Sequence, residues 1–314
     1  MSTSQVKTTI FLDASYYIFY RFHALVQWWR FAKKDEPLGN PSENQEFITK
    51  FKTVFIDKCR EIPKKLKCKD ATIIVAMDCP RANIWRNKLF SLFELCSDIS
   101  EENLLAQLNN LDTIKIESAD MSEATTYKGG RKQDPIINAG PFFKLVYQEK
   151  LFQQAGITTI LSHPELEADD CIALTLRYHT SLYKSIPDDS SSITQQYITQ
   201  QYIIVANDHD YLQLVTPTIR LINLKYREIP CENPEAALFM KCVQGDKSDN
   251  IKGIFKRCGK KTALAYYEDQ ERFHQQLQKE FGSYNRFLIN QRMINFKWIP
   301  ERLVQEFYTS HNLQ

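Results

Sequence analysis

Three carboxylates occupy four consecutive positions in the stretch Glu167-Ala168-Asp169-Asp170, directly before an apolar helical pattern. Acidic residues favour the first turn of a helix, because its free N–H groups and its dipole stabilise negative charge. Glu167 and Asp170 are three positions apart and share a face, so the cluster repels itself unless a cation neutralises it. The alternative to a cation site is a set of ordinary N-capping acids on a solvated helix. The positions of the other acidic residues in the chain distinguish the two interpretations.

Short apolar runs alternate with helical patterns along the chain. The runs at 8–12, 72–77, 157–161 and 202–206 predict strands buried in a parallel sheet, and the helical patterns cover 16–31, 46–59, 81–95, 142–155 and about 167–183. Residues 97–124 show no firm periodicity, and the Ser-rich stretch 187–200 is typical of a loose insertion. This alternation predicts an α/β fold with a doubly wound, mostly parallel sheet.

Acidic residues also follow the predicted strands. Asp13 and Asp78 end the first two runs, and Asp208 and Asp210 follow the last one. Ligands of doubly wound sheets bind beyond the carboxyl ends of the strands. We therefore expect these four carboxylates to meet the acidic stretch at one edge of the sheet.

The segment 16–31 is strongly aromatic and ends in Trp28-Trp29-Arg30. Such rings either fill a core or stack on nucleic-acid bases, where each stack is worth ~1–3 kcal/mol. Core packing is the interpretation that we favour, because aromatic residues most often fill interiors.

Two further carboxylates, Asp246 and Asp249, lie in a glycine- and lysine-rich segment at 244–264. Glycines before a Lys-Lys-Thr helix start are typical of a clamp that holds phosphate with backbone N–H groups and lysine charge. A solvated, lysine-rich turn is the alternative for this segment.

The sequence thus places nine carboxylates where strands end and helices begin: Asp13, Asp78, Glu167, Asp169, Asp170, Asp208, Asp210, Asp246 and Asp249. An all-oxygen set of this kind selects Mg²⁺ or Mn²⁺ over zinc. The whole chain has a formal net charge of only +2, so the remainder is basic once these acids are set aside. An acidic site in a basic frame suits a polyanionic substrate.

Composition limits the class of protein. The 314 residues are 43% hydrophobic and 25% charged, as in globular proteins, and no apolar run reaches the ~18 residues of a membrane span. Residues 1–9 are polar, and the eight cysteines show no Cys-x-x-Cys spacing. We therefore expect a soluble intracellular protein with reduced thiols and no zinc site.

Six segments taken together resemble the 5′-nuclease (flap endonuclease-like) superfamily, and phage and large-DNA-virus members in particular. The segments, in family order, are Ile10-Phe11-Leu12-Asp13, Ile74-Val75-Ala76-Met77-Asp78, Tyr127-Lys128-Gly129-Gly130-Arg131, Glu167-Ala168-Asp169-Asp170, Asn207-Asp208-His209-Asp210-Tyr211-Leu212-Gln213-Leu214 and Gly245-Asp246-Lys247-Ser248-Asp249-Asn250. Each segment alone is weak evidence for the family, but six segments in the family's order are specific for it.

The resemblance implies two Mg²⁺ ions, with Mn²⁺ as a substitute, in a PIN-like 5′-nuclease core. It assigns one ion to Asp13, Asp78, Glu167 and Asp169, and the other to Asp208, Asp210 and Asp246, with Asp170 and Asp249 acting through water. It makes Lys128, Arg131 and Arg86 the catalytic cations at the base of a helical arch. It assigns duplex binding, with a K⁺ site, to Gly253, Lys256, Arg257, Gly259, Lys260, Lys261 and Thr262.

The same resemblance implies a catalytic core at 1–235 with its arch at about 81–135, a helix–turn–helix subdomain at 236–285, and a tail at 286–314 packed on the core. The implied activity is hydrolysis of phosphodiesters to 5′-phosphates, as a 5′→3′ exonuclease or a flap endonuclease. The implied partners of a monomeric enzyme are flap, nicked or 5′-ended DNA, RNA–DNA hybrids and replication proteins.

The sequence also departs from the family pattern. The clamp loop at 251–261 is one residue longer than the bacterial form, and no convincing sliding-clamp peptide is present. Two other functions remain open: a PIN-type ribonuclease, which generally has fewer acids and no clamp, and a non-catalytic DNA-binding protein on a nuclease scaffold.

Overall fold

A parallel sheet forms the centre of the fold. The computed structural model describes residues 7–92, 99–111, 127–129, 138–184 and 200–313. The strands of this part are Lys7–Asp13 (β1), Thr72–Ala76 (β2), Thr159–Leu161 (β3), Gln200–Val205 (β4) and Ile219–Ile222 (β5). They pair in the order β3-β2-β1-β4-β5, and every pair is parallel. The predicted α/β class with a doubly wound sheet is confirmed.

Helices connect and follow these strands. Those within the described ranges are Ala14–Ala32 (α1), Gln45–Arg60 (α2), Ile62–Lys65 (α3), Arg86–Ser91 (α4), Glu101–Asn109 (α5), Gly140–Gln148 (α6), Leu151–Gln154 (α7), Ala168–Lys184 (α8), Pro234–Gln244 (α9), Lys260–Glu268 (α10), Gln270–Lys279 (α11), Ser283–Ile294 (α12) and Glu301–Ser310 (α13). No helix of this part is long and apolar enough to cross a membrane.

The chain forms two compact units. Unit 1 contains Met1–Asp78, Gln133–Ser162 and Glu167–Pro230, and unit 2 contains Cys79–Lys132, His163–Leu166 and Cys231–Gln314. Packing rather than sequence order defines these units, so the predicted division at residues 235 and 285 stays a prediction. About half of the arch expected at 81–135, and all but residue 200 of the insertion expected at 187–200, fall outside the described residues.

The two faces of the sheet in unit 1 carry different helices. Ile10 and Leu12 of β1 belong to the same buried cluster as the aromatic side chains of α1, α2 and α6. Alternation along a strand points Phe11 the other way. Phe11 contacts the Tyr202 ring of β4, which in turn contacts His179 of α8. Helices on both faces explain why these strands are apolar throughout.

Aromatic rings form the core between α1, α2 and α6. The Phe142 ring lies 4.9 Å from Phe22 and 4.8 Å from Phe51, measured between ring centroids. Trp29 is 2% exposed and donates its indole N–H to the carbonyl of Glu36. Core packing is thus confirmed for Trp29, whereas Trp28 is 40% exposed.

Three local predictions were incomplete. The helix expected at 142–155 is interrupted, because Lys150 adopts a left-handed conformation with φ 54° between α6 and α7. The polar stretch that showed no periodicity contains α5, whose first turn is capped by Ser100. Strand β5 was not predicted; its four residues are too short to show a pattern without the neighbouring β4.

Unit 2 contains the C-terminal helices. Phe273 of α11 is buried and contacts the rings of Phe239 and Phe287, at centroid distances of 4.9 and 5.1 Å. The buried amide of Asn290 donates to the carbonyls of Cys242 and Lys252. These contacts fix α12 against α9 and against the loop that follows α9.

The aromatic core predicts a clear difference between two phenylalanines. Phe142→Ala should lower the free energy of unfolding by about 3–5 kcal/mol, because it leaves a cavity among several rings. Phe31→Ala is the matched control, since Phe31 is 76% exposed, and should change stability by less than about 0.5 kcal/mol. Urea unfolding measures both; equal effects would contradict the packing described here.

Candidate metal centre

The strand order of unit 1 places acidic residues at one edge of the sheet. The order reverses between β1 and β4, and open α/β sheets bind ligands at the carboxyl ends beside such a switch point. Asp13 is the last residue of β1, and Asp208 follows β4 closely. Asp78 follows β2, the other neighbour of β1. The predicted position of these carboxylates therefore agrees with the fold.

Asp13 is the half-buried centre of this group. One carboxylate oxygen accepts the N–H of Tyr16 at 2.8 Å and so caps α1, and the other accepts the Tyr211 hydroxyl at 2.9 Å. Burial raises the pKa of Asp13 to about 7; the charges of Asp78 and Asp208 also raise it, and the two hydrogen bonds offset these effects only in part. Burial and the neighbouring charges therefore both disfavour the ionised form of Asp13.

Asp78 connects β2 to the start of α8. Its Oδ1 accepts the N–H of Ala168 at 2.8 Å, and its Oδ2 accepts the hydroxyl of Ser15. Ser15 lies two residues after Asp13, in the first turn of α1. Asp78 thus brings the acidic stretch and the end of β1 to the same place.

The acidic stretch lies at the start of α8, as the sequence predicts. Glu167, Asp169 and Asp170 each place one carboxylate oxygen within 4.8 Å of the others. Glu167 and Asp170 are buried, at 3% and 0% exposure. Asp170 accepts the N–H of Glu167 at 3.2 Å, and Asp169 accepts the N–H of Asp170 at 2.7 Å. Backbone N–H groups thus stabilise the cluster.

Asp208 and Asp210 begin a short 3₁₀ helix, His209–Leu214. Asp208 accepts the N–H of Asp210 at 2.9 Å, which fixes the start of this helix. The same helix carries Tyr211, which is fully buried and reaches Asp13. Asp208 therefore acts on Asp13 both by charge and by positioning its hydrogen-bond donor.

The donor set of unit 1 fits a hard divalent cation. Carboxylate oxygens at close range are the ligands that such cations prefer, whereas zinc favours nitrogen and sulfur. Burial and the charge of Asp78 raise the pKa of Asp13, so a nearby cation would stabilise its charged form. Six carboxylates of unit 1 would hold such a cation: Asp13, Asp78, Glu167, Asp169, Asp170 and Asp208.

Sequence reasoning missed the polar partners of these acids. Ser15 and Tyr211 donate to carboxylates that are far away in the chain, and only their positions beside Asp13 and Asp208 offered a signal. Tyr147 of α6 was also missed. Burial raises the pKa of Tyr147, and the charges of Asp78 and Asp13 raise it further, which places its hydroxyl near them.

Asp246 and Asp249 belong to unit 2. Lys241 pairs with Asp246 at 2.7 Å, and Ser248 donates its N–H and hydroxyl to the same carboxylate. Burial raises the pKa of Asp246, but these contacts outweigh it and lower the pKa to about 2. Asp249 is 5% exposed and accepts the Tyr127 hydroxyl at 3.3 Å. Their predicted role as metal ligands stays a prediction.

The three predicted catalytic cations have different outcomes. Lys128 adopts φ 58°, donates its N–H to the carbonyl of Asp249 and places Nζ 3.8 Å from the Asp249 carboxylate. Arg131 lies outside the described residues. Arg86 is 2% exposed and donates to the carbonyl of Met293 at 2.7 Å, so it fixes α4 to α12. A role for Arg86 at a phosphate remains untested.

The predicted phosphate clamp is the loop between α9 and α10. Gly245 has φ 72°, and a side chain at Gly253 would meet the carbonyl of Gln244 at 2.8 Å, so both glycines are required by backbone contacts. Gly259 precedes α10, whose first turn has no side-chain cap in this part of the structure. The basic residues Lys256, Arg257, Lys260 and Lys261 are exposed around it, and Thr262 is half-buried in its first turn. This geometry suits a phosphate.

Comparison with known proteins agrees with this geometry. No family model matches the chain. A 5′-3′ exonuclease of Buchnera aphidicola subsp. Schizaphis graminum is 30% identical over 150 residues, which is 44% of this chain and 44% of that relative. The match therefore spans less than half of the relative's length.

Solved structures show a similar fold. The D15 protein of bacteriophage T5 co-crystallised with metal ions has a TM-score of 0.54 at 12% identity, and covers 98% of both chains. A complex of the T5 D15 flap endonuclease with DNA and metal ions has a TM-score of 0.54 at 13% identity, with the same coverage. The resemblance to 5′-nucleases seen in the sequence is thus confirmed, and at these identities the structures establish the fold alone.

The charge at Asp13 predicts how stability depends on pH. The ordinary pKa of this group is 3.8 and its folded pKa is about 7, so the folded protein keeps a proton that the unfolded chain releases between these values. The stability of the metal-free protein should therefore fall as the pH rises from about 4 to 7. Asp13→Asn keeps a capping oxygen but not the charge, so it should reduce this fall.

Thermal unfolding in EDTA and in Mg²⁺ at pH 8 measures the effect. Asp13→Asn should unfold at a higher temperature than the wild type in EDTA and gain less from Mg²⁺. Asp57→Asn, at an exposed position of α2, is the matched control and should behave as the wild type. If the metal-free Asp13→Asn protein were less stable than the metal-free wild type at pH 8, the conclusion that the charge of Asp13 is unfavourable would be contradicted.

Proposed function

We propose that the protein is a divalent-metal-dependent 5′ nuclease that hydrolyses phosphodiesters of DNA or of RNA–DNA primers. The observation that carries the proposal is the convergence of Asp13, Asp78 and Asp208 at the switch point of the sheet, where burial of Asp13 and the neighbouring charges raise its pKa to about 7. The exonuclease relative and the T5 flap endonuclease fold support the same reaction class.

The reaction is an in-line displacement at phosphorus. The oxygen of water forms the new P–O bond, the bond to the 3′ oxygen breaks, and the products are a 5′-phosphate and a 3′-hydroxyl. Two Mg²⁺ ions, or Mn²⁺ in their place, would activate the water and stabilise the leaving oxygen when bound. One ion would be held by Asp13, Asp78, Glu167 and Asp169. The other would be held by Asp208, Asp210 and Asp246, with support from Asp170 and Asp249.

The remaining residues of the centre orient these acids. Tyr211 and the N–H of Tyr16 hold Asp13, while Ser15 and the N–H of Ala168 hold Asp78. Lys128 and Arg131 neutralise charge that develops at the phosphate. Lys241 neutralises Asp246 in the absence of a cation, so binding of an ion there must compete with this contact.

Duplex binding belongs to the clamp between α9 and α10. The free N–H groups at the start of α10 donate to a backbone phosphate, and positive charge comes from Lys256, Arg257, Lys260 and Lys261. We also propose that this loop binds a K⁺ ion. The protein acts as a monomer on flap, nicked or 5′-ended DNA, alongside replication proteins, in the cytoplasm, nucleus or viral replication compartment.

Cleavage of 5′-labelled flap and nicked duplexes tests the function. We expect cutting of both in Mg²⁺ and none in EDTA. Release of an intact flap identifies a flap endonuclease, whereas mononucleotides from both substrates identify a 5′→3′ exonuclease. Binding of both substrates without cutting would support the non-catalytic alternative, and cutting of RNA alone would support the PIN-type ribonuclease.

Single substitutions assign the activity to the centre. Asp78→Asn and Asp208→Asn should each slow single-turnover cleavage by at least about 10²–10³-fold. Each substitution removes a carboxylate charge at the place where charge develops on the phosphate in the transition state. DNA affinity in Ca²⁺ should remain within about twofold, since the clamp supplies most phosphate contacts. Asp57→Asn is the control, and wild-type turnover in both variants would refute the assignment.

The tyrosine beside Asp13 sets the pH dependence. Tyr211→Phe removes a hydroxyl that stabilises the charged carboxylate, so the pKa of Asp13 should rise further. The acidic limb of the pH–rate profile should therefore shift to higher pH, with little loss at the alkaline end. A profile that falls by the same factor at every pH would contradict this role.

A further inference from the structure

A cavity of about 420 Å³ lies within unit 2, between α4, the end of α5, the segment Phe296–Trp298 and the start of α13. Its volume is within the range of about 300–1,000 Å³ that small-ligand pockets span. All of its lining residues belong to unit 2, and none of them is a carboxylate of the metal centre. The mechanism proposed above gives this cavity no role.

The lining is rich in cations. Lys88, Arg292, Lys297 and Arg302 line the cavity, together with the carboxylates Glu165 and Glu301. Arg302 pairs with Glu165 at 3.0 Å and also with Glu306 at 3.0 Å. The described lining thus has four cations and two carboxylates, and one of these carboxylates, Glu165, is already engaged by Arg302.

Arg292 is the most informative of these cations. It is half-buried, and burial lowers its pKa. Its guanidinium donates to the amide oxygen of Asn109 at 3.0 Å and lies 3.8 Å from the centroid of the Trp298 ring. Within the described part of the chain it has no carboxylate within 4 Å. A desolvated guanidinium without a counterion is suited to bind an anion, and phosphate fits its planar donors.

Flat and apolar groups lie beside this charge. The half-buried Trp298 ring and the aliphatic side chains of Leu89 and Ile299 line the cavity, and Lys297 is exposed at its rim, with Nζ 5.8 Å from the centroid of the ring. Nucleotide bases bind against such surfaces while their phosphates contact neighbouring cations. An acidic peptide would satisfy the cations, but it has no planar group for the ring.

We propose that this cavity binds one nucleotide, with its phosphate on Arg292 and Lys297 and its base against Trp298 and the aliphatic lining. The nucleotide is either a free mononucleotide or one unit of a nucleic-acid strand. The inference rests on the proposed function only in taking nucleic acid as the source of the anion. No carboxylate of the metal centre takes part in binding.

Isothermal titration calorimetry in EDTA tests the site with dTMP and with 5′-phosphorylated tetrathymidylate. The wild type should bind dTMP with one site, and Arg292→Gln should weaken the affinity by about tenfold or more, because it removes a charge-assisted contact. Lys297→Ala should weaken it by about threefold, as expected for an exposed charge. Lys64→Ala, at an exposed position of α3, is the control and should bind as the wild type.

Each outcome decides the proposal. Tighter, Arg292-dependent binding of the tetranucleotide identifies a strand segment, and equal affinities identify a free nucleotide. The proposal fails if the wild type does not bind dTMP, if Lys297→Ala and Arg292→Gln both bind as the wild type, or if a glutamate-rich peptide binds in an Arg292-dependent manner and dTMP does not. If Arg292→Gln is misfolded by circular dichroism, Lys297→Ala decides. Because EDTA prevents metal-dependent cleavage, this result is independent of nuclease activity.

Discussion

Repulsion between closely spaced carboxylates is the constraint on which the rest of unit 1 depends. The fold brings Asp13, Asp78 and Asp208 together at the carboxyl edge of the sheet, and burial together with their mutual charge shifts Asp13 to a pKa of about 7. Like charges at close range repel one another, and desolvation of Asp13 makes its charged form less favourable still. A bound cation would relieve this repulsion.

The local structure reduces this cost without removing it. Each acid at the edge also caps a helix or accepts a hydroxyl: Asp13 caps α1, Asp78 accepts the first N–H of α8, and Asp208 begins the 3₁₀ helix that carries Tyr211. The capping interpretation and the metal interpretation are therefore not exclusive. The hydrogen bonds of these acids stabilise the fold, and their negative charge stays available to the site.

Sequence patterns predicted the elements that have strong local signals. Buried parallel strands are apolar throughout, so β1, β2 and β4 could be placed, and with them the acids that follow. The pattern could not show that Tyr211 reaches Asp13 across 198 positions, that Lys241 neutralises Asp246, or that Arg86 is buried against Met293. These contacts depend on tertiary packing, as do the short strand β5 and the break at Lys150, which have no periodic signal of their own.

The most direct test of the account is to locate the cation. A crystal soaked in Mn²⁺ and measured at the manganese absorption edge should show an anomalous peak within about 2.0–2.4 Å of carboxylate oxygens of Asp13, Asp78 or Asp169, as expected for oxygen ligands of a hard divalent ion. The peak should be absent at this position in an Asp13→Asn crystal. A wild-type crystal with ordered carboxylates and no manganese at this edge would contradict the central claim that these acids form a metal centre.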